Sequence, residues 1–136
     1  RQQRIINLSA NISNRMESVI ERLFNIVDRL EQRIVKIKQT GLNTDLAEAK
    51  LRESAQLLAE ARAKLGNIDS LVVNATASVE PRSEWQVVRQ TYTECGSLIR
   101  RSHQALRETI SLLKNSSLET TSTEETDPVQ STSTLP

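Results

Sequence analysis

The sequence predicts an all-α fold: an elongated, antiparallel, up-down-up three-helix bundle with coiled-coil-like heptad packing and a disordered C-terminal tail. Three observations predict it. Apolar residues recur at spacings near seven over three long stretches, the signature of helices sharing a continuous seam. Those stretches are separated by two breaks, at Gly41 and at Pro81. With 3 Gly, 3 Pro and 2% aromatic residues in 136, the chain has too few turn and strand formers for a barrel or sandwich of many short strands.

The first helix is expected over about 1–39. Met16, Leu23, Leu30 and Ile37 hold heptad position a, Ile5, Ile12, Val19 and Ile26 position d, and Ile20, Val27 and Ile34 position e. This stripe is wider than a two-stranded seam and is suited to two neighbours. Arg15, Arg22 and Arg29 recur at position g, where their stems can cover apolar surface while the guanidinium groups stay wet. Gly41 after Thr40 supplies a left-handed cap, and Leu42 its apolar contact. The second helix is expected over about 45–78, with Thr44 or Asp45 as N-cap and capping-box spacing from Asp45 to Glu48. Leu51, Leu58, Leu65, Val72 and Val79 make a large column, and Ala47, Ser54, Ala61, Ile68 and Ala75 a mostly small one. The small column lets a neighbouring helix approach closely. Gly66 inside this helix costs about 1 kcal/mol against Ala, offset by close packing or by a bend. Pro81 suits the first turn of a third helix, over about 82–114. Its columns are Trp85, Tyr92, Ile99, Leu106 and Leu113, and Val88, Cys95, Ser102 and Thr109.

Residues 1–114 form one domain. Short connections make successive helices antiparallel, and at 1.5 Å per residue each is about 50–58 Å long. A hairpin of the first two helices, with the third docked elsewhere or completing a dimer, is the alternative. Residues 115–136 are rich in Ser and Thr, acidic and poor in apolar side chains, so a disordered tail is expected there. The tail carries Glu119, Glu124, Glu125 and Asp127 and no cation, so the overall charge of +1 divides into a basic bundle and an acidic tail. No apolar stretch reaches the length of a bilayer-spanning helix. Opening at Arg1 rather than Met, the chain reads as a processed form or a fragment, and removal of a signal peptide is one route to it.

Little in the sequence points to catalysis. Cys95 and His103 are eight residues apart on one helix, about 12 Å along its axis and beyond hydrogen-bond reach. Cys95 reads as a small buried hydrophobe and His103 as a boundary residue. One Cys and one His exclude the common zinc sets, and the Glu-x-x-His of a di-iron bundle is absent. No catalytic, metal or cofactor-binding residue is expected. Trp85 and Tyr92 read as core, with a binding platform as the alternative. Phe24, one step off the stripe, reads as an exposed partner contact. Arg33, Lys36 and Lys38 with Arg100, Arg101 and Arg107 are expected to gather at one basic pole, an anionic-partner surface. Specific nucleic-acid readers are not evident.

The run Asn11-Ile12-Ser13-Asn14-Arg15-Met16, then Arg22-Leu23 and Arg29-Leu30-Glu31-Gln32-Arg33-Ile34, resembles a recurrent opening in uncharacterised helical proteins of small-genome candidate-phylum bacteria. So do the turn Gly41-Leu42-Asn43-Thr44 before an Ala-rich helix, Trp85-Gln86-Val87-Val88-Arg89, Ala105-Leu106-Arg107 and Leu112-Leu113-Lys114. The resemblance spans about residues 4–114. It implies a secreted or envelope-associated protein, hence an extracytoplasmic location, and no established activity. The expected function is a non-enzymatic helical spacer or protein-interaction module, with an unidentified protein or a second copy as partner. Electrostatic binding of an anionic polymer or membrane surface through the basic pole is the alternative.

Overall fold

The computed structural model describes residues 2–133, with side chains from Gln3 to Asn115. It is an all-α three-helix bundle in the order α1 (Gln2–Gln39), α2 (Asp45–Ala77) and α3 (Pro81–Ser133). The two breaks fall where the sequence sets them. Gly41 has φ +90°, and the amides of Thr40 and Gly41 donate to the carbonyls of Ile37 and Lys38, each at 3.0 Å. A side chain at that φ clashes with its own backbone, so glycine is required there. Thr44 is the N-cap of α2, but its hydroxyl donates to Glu48 Oε2 at 3.1 Å instead of capping an amide. The amide of Asp45 is taken by Asn43 Oδ1 at 2.9 Å, so an Asx turn starts the helix in place of the Asp45–Glu48 box. Pro81 is the first residue of α3.

Helices α2 and α3 form the tightest pair; α1 packs chiefly on α2 and approaches α3 least. The small columns explain the first contact. Ser54 and Ser102 are fully buried, with their hydroxyl oxygens 2.7 Å apart and each 3.0 Å from the other's carbonyl, so two hydroxyl protons are shared among three contacts. One heptad along, Cys95 Sγ reaches the carbonyl of Ala61 at 3.7 Å. These two pairs fix an antiparallel register that sets Ala47 opposite Thr109 and Ile68 opposite Val88, all buried. On α1 the buried apolar residues are the large Ile20, Leu23, Val27, Leu30 and Ile34, with the small Ser9 buried near the N-terminal end. These are positions a and e, so that side of α1 faces α2.

Three expectations change. Val79 does not continue the large column of α2; the helix ends at Ala77 and Val79 lies in the link, 99% exposed. A methyl group on Gly66 would meet nothing within 4 Å, so no close packing offsets its cost. The helical assignment of α3 runs on to Ser133, past the expected end near 114. Among the residues whose side chains are described, its last buried one is Leu113, and the tail expected over 115–136 falls almost wholly outside those residues.

Candidate functional site

The buried polar groups are occupied with each other. Among the described residues no buried side-chain oxygen or nitrogen lacks a hydrogen-bond partner. Thr109 donates back to the carbonyl of Ala105 at 2.8 Å. Burial pushes the Cys95 thiol up, away from the reactive thiolate. Cys95 is therefore packing, as its column implies. His103 is exposed. Among the described residues no three His, Cys, Asp or Glu side chains lie close enough together to hold a metal ion.

The cations expected at one pole are spread along the molecule. The methyl of Met16 on α1 lies about level with Gly96 on α3. Thus Arg100 stands beside residues 19–23 of α1, in a hollow lined by Val19, Arg22, Leu23, Ile99 and His103. Arg33 and Lys36 are some thirteen residues farther along, about 20 Å at the helical rise. Lys38 points to α2 and pairs with Glu48 at 3.6 Å. Arg101 shares the column of Glu94 and Glu108, on the flank toward α2. Arg107 lies beside Lys50, Gln104 and Glu108. Arg100 and Arg101 lie in the middle of α3, level with the middle of α1, so they are not brought to the end that carries Arg33 and Lys36. Phe24 is also not the exposed residue its position suggests. It is half-buried against the core, and the Arg62 guanidinium lies 4.8 Å from its ring centroid while approaching Glu17 at 3.9 Å.

A different grouping emerges. Every ion pair among the described residues has a partner on α2: Lys38–Glu48, Lys50–Glu53, Lys50–Glu108, Arg62–Glu17 and Lys64–Glu94. The last is a 3.0 Å hydrogen bond that holds the Glu94 carboxyl below the usual range and raises Lys64. The face made by α1 and α3 carries none. Arg15, Arg22, Arg29 and Lys36 line it from α1 at heptad spacing, all exposed. The neighbouring α1 column is Ser18, Asn25 and Gln32, and Arg82, Arg89 and Arg100 stand across the seam on α3. No carboxylate lies in these columns; the nearest on α1, Glu21 and Asp28, form the next column beyond Ser18 and Asn25, so the face itself is positive.

At its N-terminal end this face opens into an apolar trough of about 580 Å³ between α1 and α3. Ile5, Leu8 and Ile12 line one wall, and Pro81, Trp85 and Val88 the other. Tyr92 closes one end: its hydroxyl donates to the Ser9 carbonyl at 2.7 Å and accepts from Ser13 Oγ at 2.7 Å. Trp85 and Tyr92 are thus both core and surface, packed against the buried cluster and lining the opening. No described helix is long and apolar enough to cross a membrane. Set against protein-family models, curated proteins and solved structures, the chain matches none.

Proposed function

We propose that this chain is a non-enzymatic helical interaction module whose contact surface is the α1–α3 face, docking electrostatically on an anionic surface. The observation that carries this reading is the segregation of charge among the described residues: ion pairs on α2, and a heptad line of Arg and Lys along α1 that makes no ion pair and has no carboxylate in its own or the adjoining columns. Such a field attracts anions over roughly a Debye length and weakens with salt. The satisfied interior supports a scaffold, because among the described residues no buried side-chain polar atom lacks a hydrogen-bond partner. An extracytoplasmic location rests on the family resemblance alone.

The test is binding to vesicles carrying anionic lipid as salt is raised, for the parent chain and for Arg15→Gln/Arg22→Gln/Arg29→Gln. At about 1 kcal/mol for each cation near such a surface, the triple variant binds about 100-fold more weakly with its helical circular dichroism unchanged. Arg52→Gln, on α2, leaves binding unaltered. Binding that ignores salt, or that falls equally for Arg52→Gln, refutes the reading. A chain that is unfolded alone and helical only with a partner removes the autonomous scaffold.

A further inference from the structure

The trough at the N-terminal end of the α1–α3 seam is the apolar part of this face. Its walls are aliphatic and aromatic, and Leu8 is 58% exposed within it. A volume of about 580 Å³ falls in the range of small-molecule sites. Arg82 and Arg89 also line it, one heptad apart on α3, about 10 Å along the axis. Neither makes an ion pair with a described carboxylate, and no acidic residue lines the trough. The lining is therefore amphipathic in a particular sense: an apolar slot with unpaired cations as its only charged groups. That complements a molecule with an apolar chain and an anionic head.

We propose that the trough seats the acyl chain of a single-chain anionic lipid, with its head group held between Arg82 and Arg89. The chain lies along Ile5, Leu8, Ile12 and Trp85 and stops at Tyr92. The hydroxyl bridge from Tyr92 to Ser9 and Ser13 ties α1 to α3 there. A partner helix, about 10–12 Å across, would have to end at that bridge after about three turns, whereas an acyl chain is thin enough to fill the slot and end there. This assignment deepens the anionic-surface reading and rests on it for the sign of the ligand's charge. It adds that the surface is lipid and that one lipid chain is withdrawn into the protein.

Trp85 is the only tryptophan in the chain and lines the trough, so its emission reports occupancy directly. The full chain is titrated with dodecanoate below its micelle concentration, and in parallel with dodecanol and with acetate. The expected result is a saturable blue shift with dodecanoate at one per chain, and none with acetate. Dodecanol binds at least about tenfold more weakly, as does dodecanoate to Arg82→Gln/Arg89→Gln. Leu8→Asp, at an exposed position that leaves the core intact, abolishes the shift while keeping helical circular dichroism. Arg15→Gln/Arg22→Gln/Arg29→Gln keeps dodecanoate binding within about twofold, because those cations stand outside the trough, but loses vesicle binding. Absence of a saturable shift, equal affinity for dodecanol, or insensitivity to Leu8→Asp overturns the acyl site. If vesicle binding survives any of those results, the electrostatic face stands and only the acyl site falls.

Discussion

Two seams of the bundle are built on opposite rules. Between α2 and α3 the facing residues are small, Ala47, Ser54 and Ala61 against Thr109, Ser102 and Cys95, and the backbones come close enough for side chains to reach the opposite main chain. Along α1 the buried apolar residues are large, from Ile20 to Ile34, and they face α2. Small residues give a short, hydrogen-bonded and register-specific contact. Large ones give apolar area but keep the axes apart, and the α1–α3 side is left open enough for a trough. The tight seam holds the scaffold and the loose seam offers the surface.

Adding bulk to each seam tests that contrast and gives the largest expected effect. Ala61→Leu forces a branched side chain against Cys95, where Ala61 is fully buried. The destabilisation should be about 2–3 kcal/mol, from off-rotamer side chains and backbone shifts. Leu8→Trp adds comparable bulk in the trough, where Leu8 is 58% exposed, and keeps the Ser9 carbonyl that Tyr92 uses. It should change stability by less than about 1 kcal/mol. Chemical denaturation of both variants decides the matter: equal losses would mean the two seams are equally close-packed.

The serine pair should come next. Ser54→Ala or Ser102→Ala each removes one hydroxyl but leaves the other able to donate to a carbonyl, so each should cost about 1 kcal/mol. The double variant should cost less than the two together, and a double-mutant cycle measures that coupling. Strict additivity would mean that the hydroxyl-to-hydroxyl contact contributes nothing to register.

How much of this was legible in the sequence follows the same division. The three helices, Gly41, Pro81, the close-approach column and the buried Cys95 are written locally, in spacing and side-chain size. Register is not. Whether Met16 lies level with Gly96 depends on how two helices settle after their links and seams are satisfied, and the grouping of Arg22 with Arg100 rather than Arg33 with Arg100 depends on that offset. Phe24 was hidden for a similar reason, since its cover is a long side chain from another helix. Trp85 and Tyr92 carry the apolar spacing of core residues, and only the third dimension shows that their outer edges are open.

The two glycines sharpen the point at about 1 kcal/mol in opposite directions. Gly66 is helical with open space around it, so Gly66→Ala should stabilise α2 by about 0.5–1 kcal/mol. Gly41 also has open space, but its φ of +90° means that Gly41→Ala should destabilise by about 1 kcal/mol. Thermal melts of opposite sign are expected. Two shifts of the same sign would mean that one of these backbones is not as described.

The smallest effect comes from the ion pairs that flank the tight seam. Hydrogen bonds from Lys64 and from Lys50 hold Glu94 and Glu108 below the usual carboxylate range. A carboxylate whose folded pKa is depressed contributes stability that is present above its unfolded value, about 4.3 for Glu, and is lost as pH falls through the lower folded value. Both pairs are solvent-exposed, so the contribution is modest and screened by salt. Glu94→Gln/Glu108→Gln should therefore melt almost like the parent once pH is below the depressed folded values, and slightly lower than it at neutral pH. The gap between them should close at high salt. A gap that persists at low pH would place the stabilising role of these residues in their packing and amide-like hydrogen bonding rather than in their charge.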